Sequence, residues 1–215
     1  MTDNVERYLE IFTEANAAIE GDNLDELKEL LEEHDIIDII REVDDESVDD
    51  RIFVEIGTKE FSLLQISMVY GSYKCFNHLI NIVKEDNVVN GFSSLHIATH
   101  ILSHPPLDIE IYGTGYYIDQ LLKKWGNDDI WINLRSSITG YTAFVQLLTV
   151  IDTDDELLTH INDKSFAVAK NMLSYTTLNV TLEDNEGNNA LHFIKTRTAD
   201  DMDLKNLITS HPSVL

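Results

Sequence analysis

The 215-residue sequence predicts an all-α solenoid of about five helix-turn-helix units, some with long loops between their two helices. Three observations carry that expectation. Apolar residues at i, i+3 and i+4 form five separate triplets, the spacing of one narrow stripe along a helix face. Glycine-containing turns followed by small polar residues stand upstream of most triplets, where a shorter partner helix would begin. Hydrophobic residues make up 43% and charged residues 25%, with only 3 prolines, the balance of a chain that builds a core.

The units follow in order. In the first, about 8–34, Ala17-Ala18-Ile19-Glu20 runs into Gly21-Asp22, and Leu27/Leu30/Leu31 form the second-helix stripe. An acidic insertion, 35–57, comes next, with a helical turn expected over 36–40 and a strand over 51–56. The second unit, about 58–84, has a first helix expected from Phe61 to Gly71 and the stripe Phe76/Leu79/Ile80. Gly21 and Gly71 fall where a first helix must stop and turn back, a C-cap role.

The third unit, about 88–126, opens on Gly91-Phe92-Ser93-Ser94-Leu95-His96 and carries Ile118/Leu121/Leu122. The fourth, about 137–175, opens on Gly140-Tyr141-Thr142-Ala143-Phe144 and carries Ala169/Met172/Leu173. The fifth, about 182–210, opens on Asp184-Asn185-Glu186-Gly187-Asn188-Asn189 and carries Leu204/Leu207/Ile208. From first-helix anchor to second-helix stripe, Leu64 to Leu79 is 15 positions and Leu191 to Leu207 is 16. Leu95 to Leu121 is 26 and Phe144 to Met172 is 28, so units three and four should carry extra loop at 100–115 and 151–163.

At these residues a family becomes nameable. Gly91-x-Ser93-x-Leu95-His96-x-Ala98 and Asp184-x-x-Gly187-x-Asn189-x-Leu191-His192 resemble the opening of an ankyrin repeat, Asp-x-x-Gly-x-Thr-Pro-Leu-His-x-Ala-Ala. The helix-starting proline of that pattern is replaced by Leu63, Ser94, Ala143 and Ala190, and the anchor spacings of 31, 49 and 47 depart from the usual ~33. The resemblance implies a stack of helix pairs whose shared groove binds a partner protein. By register it places Phe61, Phe92, Tyr141 and Asn188 just beyond the turn glycines. Tyr70 and His100 stand at helix ends, and Asn185 and Glu186 belong to the last turn. Three aromatics in that row would anchor a contact, as aromatics commonly do. Tyr112, Tyr116, Tyr117 and Trp125 beside the third unit's loop form a second candidate surface.

Charge narrows the partner. The formal net charge is −24, and 20–50 alone holds 15 acidic and 2 basic residues, a net of −13. Such a field disfavours direct binding to nucleic acid or an anionic membrane and favours a basic protein surface. The alternative is that these carboxylates imitate a nucleic acid and inhibit a basic nucleic-acid-binding protein. A single cysteine, Cys75, precludes an internal disulfide and suits a reducing compartment. The acidic start Met1-Thr2-Asp3-Asn4 has no basic region leading into an apolar run, so no secretory signal is expected. Cytoplasm is the expected location, either the maker's own or the cytoplasm or nucleus of a host cell. Small stand-alone ankyrin proteins are similar in kind to viral and bacterial effectors that block host pathways.

No constellation points to catalysis. His96, His100 and His104 share the i, i+4, i+8 spacing of a helical metal face. Even so, His96 is the Leu-His histidine, which the resemblance assigns to a structural bond with a neighbouring turn, and His192 is its counterpart. Cys75 lies beside a buried stripe and reads as a core thiol. There is no nucleophile elbow and no phosphate-cradling glycine loop, and no metal or cofactor is expected. The expectation is a non-enzymatic module that binds and blocks or sequesters a protein. An unrecognised active site in the long loops is the remaining competitor.

Overall fold

The computed structural model describes residues 2–42, 59–89, 91–103, 112–151, 159–194 and 199–214. It is mostly helical and divides into two compact units, Met1–Val89 and Asn90–Leu215.

In the first unit, α1 (Thr2–Glu20) packs against α2 (Leu24–Glu33), and α3 (Leu63–Val69) against α4 (Tyr73–Ile82). Pairs stack like on like, α1 on α3 and α2 on α4. The turn after α1 closes through Gly21 N–H to the Ala17 carbonyl at 3.0 Å and Asn23 N–H to the Ala18 carbonyl at 2.8 Å. Gly21 was expected to supply the left-handed residue here. Asp22 does so instead, at φ 46°, which aspartate tolerates better than most side chains. Gly71 fills its expected role at φ 72°.

The Asp22 side chain reaches further. Its Oδ1 accepts from the backbone N–H groups of Lys74 at 3.0 Å and Cys75 at 3.1 Å, capping the first turn of α4. Ser72, the residue in the cap position, turns its hydroxyl to the Ile19 carbonyl. Asp22 and Ser72 thus join the two helix pairs of this unit.

Between the pairs lies a short stretch of extended structure. β1 (Ile40–Glu42) pairs antiparallel with β2 (Glu60–Ser62), with Arg41 opposite Phe61. This corrects the first helix expected from Phe61. Ser62 accepts from Gln65 N–H at 3.3 Å while Gln65 Oε1 accepts from Ser62 N–H at 3.0 Å, a reciprocal capping box that starts α3 at Leu63. The helical turn expected over 36–40 shortens to one bond, Ile39 N–H to the Ile36 carbonyl at 3.1 Å, before Ile40 joins β1. The strand expected over 51–56 lies outside the described residues.

In the second unit, α5 (Ser94–Ser103) packs on α6 (Tyr112–Trp125) and α8 (Ala143–Ile151) on α9 (Thr159–Met172). Here too first helices meet first helices, α5 on α8, and second helices meet second helices, α6 on α9. A 3-10 turn, Ala190–Phe193, stands in for the fifth first helix and packs on α8, while α10 (Ala199–Thr209) packs on α9. Leu204 and Ile208 are buried as expected of the last stripe; Leu207 is 43% exposed, because no further pair covers it among the described residues.

Helix enters the expected loops from both sides. α5 runs to Ser103 and α6 begins at Tyr112; α8 runs to Ile151 and α9 begins at Thr159. The sequence reading missed α7 (Asp129–Ile132), where Asp128 Oδ1 caps Ile130 and Trp131 N–H at 2.9 and 3.0 Å and buries Trp131 and Ile132. Tyr117 also belongs to the core, fully buried, while Tyr116 and Trp125 are half-buried; the side chain of Tyr112 lies outside those described. The second candidate surface is therefore smaller than its four aromatics suggested.

Candidate interaction surface

The best-defined local geometry in the second unit is a row of three turns. Each contains a glycine in the left-handed region: Gly91 at φ 78°, Gly140 at φ 75° and Gly187 at φ 87°. The first two glycines have a second reason. A Cβ on Gly91 would stand 2.6 Å from the Arg135 carbonyl oxygen and 2.7 Å from Ser137 N. A Cβ on Gly140 would stand 2.5 Å from Asn185 Oδ1 and 2.7 Å from Asn185 N. The first two turns therefore each press closely onto the next, and Gly187, last in the row, has nothing within 4 Å among the described residues.

Within the middle turn, Ser136 N–H donates to the Tyr141 carbonyl at 2.8 Å and Gly140 N–H to the Ser136 carbonyl at 2.9 Å. Ser136 Oγ accepts from Ile138 and Thr139 N–H at 3.2 and 3.3 Å. In the last turn, Asp184 Oδ1 accepts from Glu186 N–H at 2.8 Å and Asn188 N–H at 2.9 Å, and Oδ2 accepts from the Asn188 amide at 3.2 Å. Burial opposes ionisation of Asp184, but these bonds outweigh it and hold the carboxyl below the usual range. The two turns are joined by Asn185, whose N–H donates to the Thr139 carbonyl at 3.1 Å and whose Nδ2 donates to the Ile138 carbonyl at 3.0 Å.

His96 joins the third unit's helix to the middle turn. Ser93 N–H donates to His96 Nδ1 at 3.2 Å, which leaves Nε2 to carry the proton and donate to the Tyr141 carbonyl at 3.2 Å. Burial pushes its pKa down to about 4, against the opposing effect of the carbonyl bond. With both nitrogens engaged, His96 is a structural residue. His104 of the metal-spaced trio lies outside the described residues, and no group of three or more metal-ligating side chains occurs among those described. Cys75 is buried, its thiol pushed up to about 12 by burial and then by Asp22. Among the described residues no helix is long and apolar enough to cross a membrane.

The candidate contact residues separate sharply. Phe61, Phe92 and His100 are 1%, 4% and 2% exposed, so the expectation that they face a partner is corrected. Phe61 is the central residue of β2, and the Phe92 ring meets the His96 ring edge-on at 5.6 Å. Tyr70 is half-buried at the end of α3. Tyr141 is half-buried against Phe193, ring centroids 5.5 Å apart at 77°, and Phe193 in turn meets His192 at 5.7 Å. Asn185 and Glu186 are exposed, while Asn188 folds back onto Asp184. Sequence reasoning missed Ile138, 50% exposed two residues before Gly140, and it missed Phe193. An apolar residue placed inside a turn was the available signal.

Compared with known proteins, no family model matches the chain, and no curated protein matches it.

Proposed function

We propose that the chain is a non-enzymatic protein-binding module of ankyrin type, which blocks or sequesters its target through the row of turns at 91–187. The observation that carries this reading is the row itself. Bonds from Asn185 and His96 onto main-chain carbonyls hold it, and it presents Ile138, Asn185 and Glu186 to solvent with Tyr141 and Phe193 beside them. A rigid, mixed apolar and polar ridge loses little entropy on docking. Supporting the ankyrin reading are the like-on-like stacking of helix pairs, the left-handed turn glycines and the Leu-His histidine bonded to the neighbouring turn. On the first unit, α2 exposes Asp25, Glu26, Glu29, Glu32 and Glu33, an acidic surface suited to steering a basic partner.

The test is affinity capture from a host lysate with the wild type and with Ile138→Asp/Tyr141→Ala, both checked for an unchanged helical spectrum. Partners that the double variant no longer retains support the reading. Identical recovery by both proteins refutes it. Capture that fails steeply with salt yet ignores the double variant supports instead the second reading, in which the α2 carboxylates imitate a nucleic acid.

A further inference from the structure

The second helices α6 and α9 leave a groove of about 710 Å³ between them. Its walls include Gly115, Tyr116 and Lys123 on one side and Lys164, Val168 and Tyr175 on the other. We propose that this groove binds an organic anion with a flat apolar body. The site goes beyond the protein-binding reading and uses none of its residues.

Four features argue for it. The volume falls within the roughly 300–1,000 Å³ of small-molecule sites. Two lysines, Lys123 and Lys164, and one acidic residue, Asp119, stand in the described lining, and Asp119 accepts a hydrogen bond from Asn171 Nδ2 at 2.7 Å. In a chain of net charge −24, an anion is repelled by most of the surface, so a site with local positive excess is where one can settle.

The walls are also preformed. The Tyr175 ring lies against Gly126, where a Cβ would come within 2.5 Å of Tyr175 Cε1, and the Tyr175 carbonyl is bonded to His211 Nε2 at 3.3 Å. Tyr116 stands edge-on to the buried Tyr117 at 6.3 Å. Last, Gly115 sits inside α6 although neither backbone nor packing requires glycine there. Its φ is not positive, and among the described residues an added Cβ would meet Val168 Cγ2 alone, at an ordinary 3.9 Å. Glycine inside a helix is destabilising relative to alanine. What it leaves here is open room facing Val168.

The probe is anilinonaphthalene sulfonate, a flat aromatic anion whose fluorescence rises in an apolar site, titrated into the full chain. The expected result is one saturable site. Lys123→Gln/Lys164→Gln should weaken it by at least about tenfold, as expected on removing charge-assisted hydrogen bonds. Gly115→Leu should abolish it, and Gly115→Ala should weaken it while leaving Tm unchanged or raised. The uncharged analogue phenylnaphthylamine should bind more weakly than the sulfonate. No saturable binding, equal binding of the uncharged analogue, or an affinity untouched by the lysine variants would overturn the proposal. Should Gly115→Leu fail to fold, Gly115→Ala and the lysine pair still decide it.

Discussion

Protonation of His96 should cost the protein stability in a defined pH window. The imidazole is 1% exposed and its pKa is pushed down to about 4, whereas in the unfolded chain it titrates near 6.5. As pH falls below 6.5 the unfolded state takes up the proton first, so stability drops until the folded imidazole also titrates near 4. A separation of about 2.5 units corresponds to about 3 kcal/mol over the whole window. Between pH 7 and pH 5 the loss is about 2 kcal/mol. The chain's many carboxylates also respond to acid, so the measurement must be a difference. Urea unfolding of the wild type and of His96→Gln at both pH values provides it. The stability gap between the two proteins should narrow by about 2 kcal/mol from pH 7 to pH 5. A gap that stays constant, or an imidazole resonance of His96 that titrates near 6.5, would refute the reasoning.

Three further outcomes follow from the same geometry. Gly187→Ala should lose about 1 kcal/mol, the strain of a left-handed alanine, whereas Gly140→Ala should lose clearly more, because its Cβ also collides with Asn185; equal losses by urea unfolding would contradict the stacked-turn geometry. Asp22→Ala should cost about 1 kcal/mol through the lost cap on α4, and Asp22→Asn, which keeps an acceptor, should cost less, as measured by thermal melting. Cys75, buried and with its thiol pushed up to about 12, should resist a dithionitrobenzoate titration at pH 8 in the native protein and react once urea is added.

The helix pairs were legible because their signal is local. A stripe at i, i+3, i+4 and a glycine at the turn sit within a dozen residues, and the Leu-His step located a histidine whose bond to the next turn could be anticipated. The two-stranded sheet was not legible. β2 has only three residues, Glu60-Phe61-Ser62, without alternation, and its partner β1 lies beyond a stretch of acidic sequence that suggests no pairing. The same error exposed Phe61 on paper: register along a repeat placed it on a groove, while the strand and the capping box at Ser62 turned it inward. Phe92 failed for a related reason, since its ring covers His96. The groove between α6 and α9 was invisible because its walls come from segments about 50 positions apart, and its lysines and tyrosines read singly as ordinary surface residues.

The turns of the second unit are fastened onto main-chain acceptors: the carbonyls of Ile138, Thr139 and Tyr141 receive bonds from the Asn185 side chain, the Asn185 N–H and His96 Nε2, and glycine supplies the close fit. Asn185 is the exposed side chain that takes part. The side chains of Ile138 and Glu186 are exposed, and their backbone N–H groups bond within their own turns. At these two positions fastening and display fall to different atoms. Exchange of the side chains at 138 and 186 should therefore leave the scaffold intact, so the chemistry exposed along the row can change while the fold is kept.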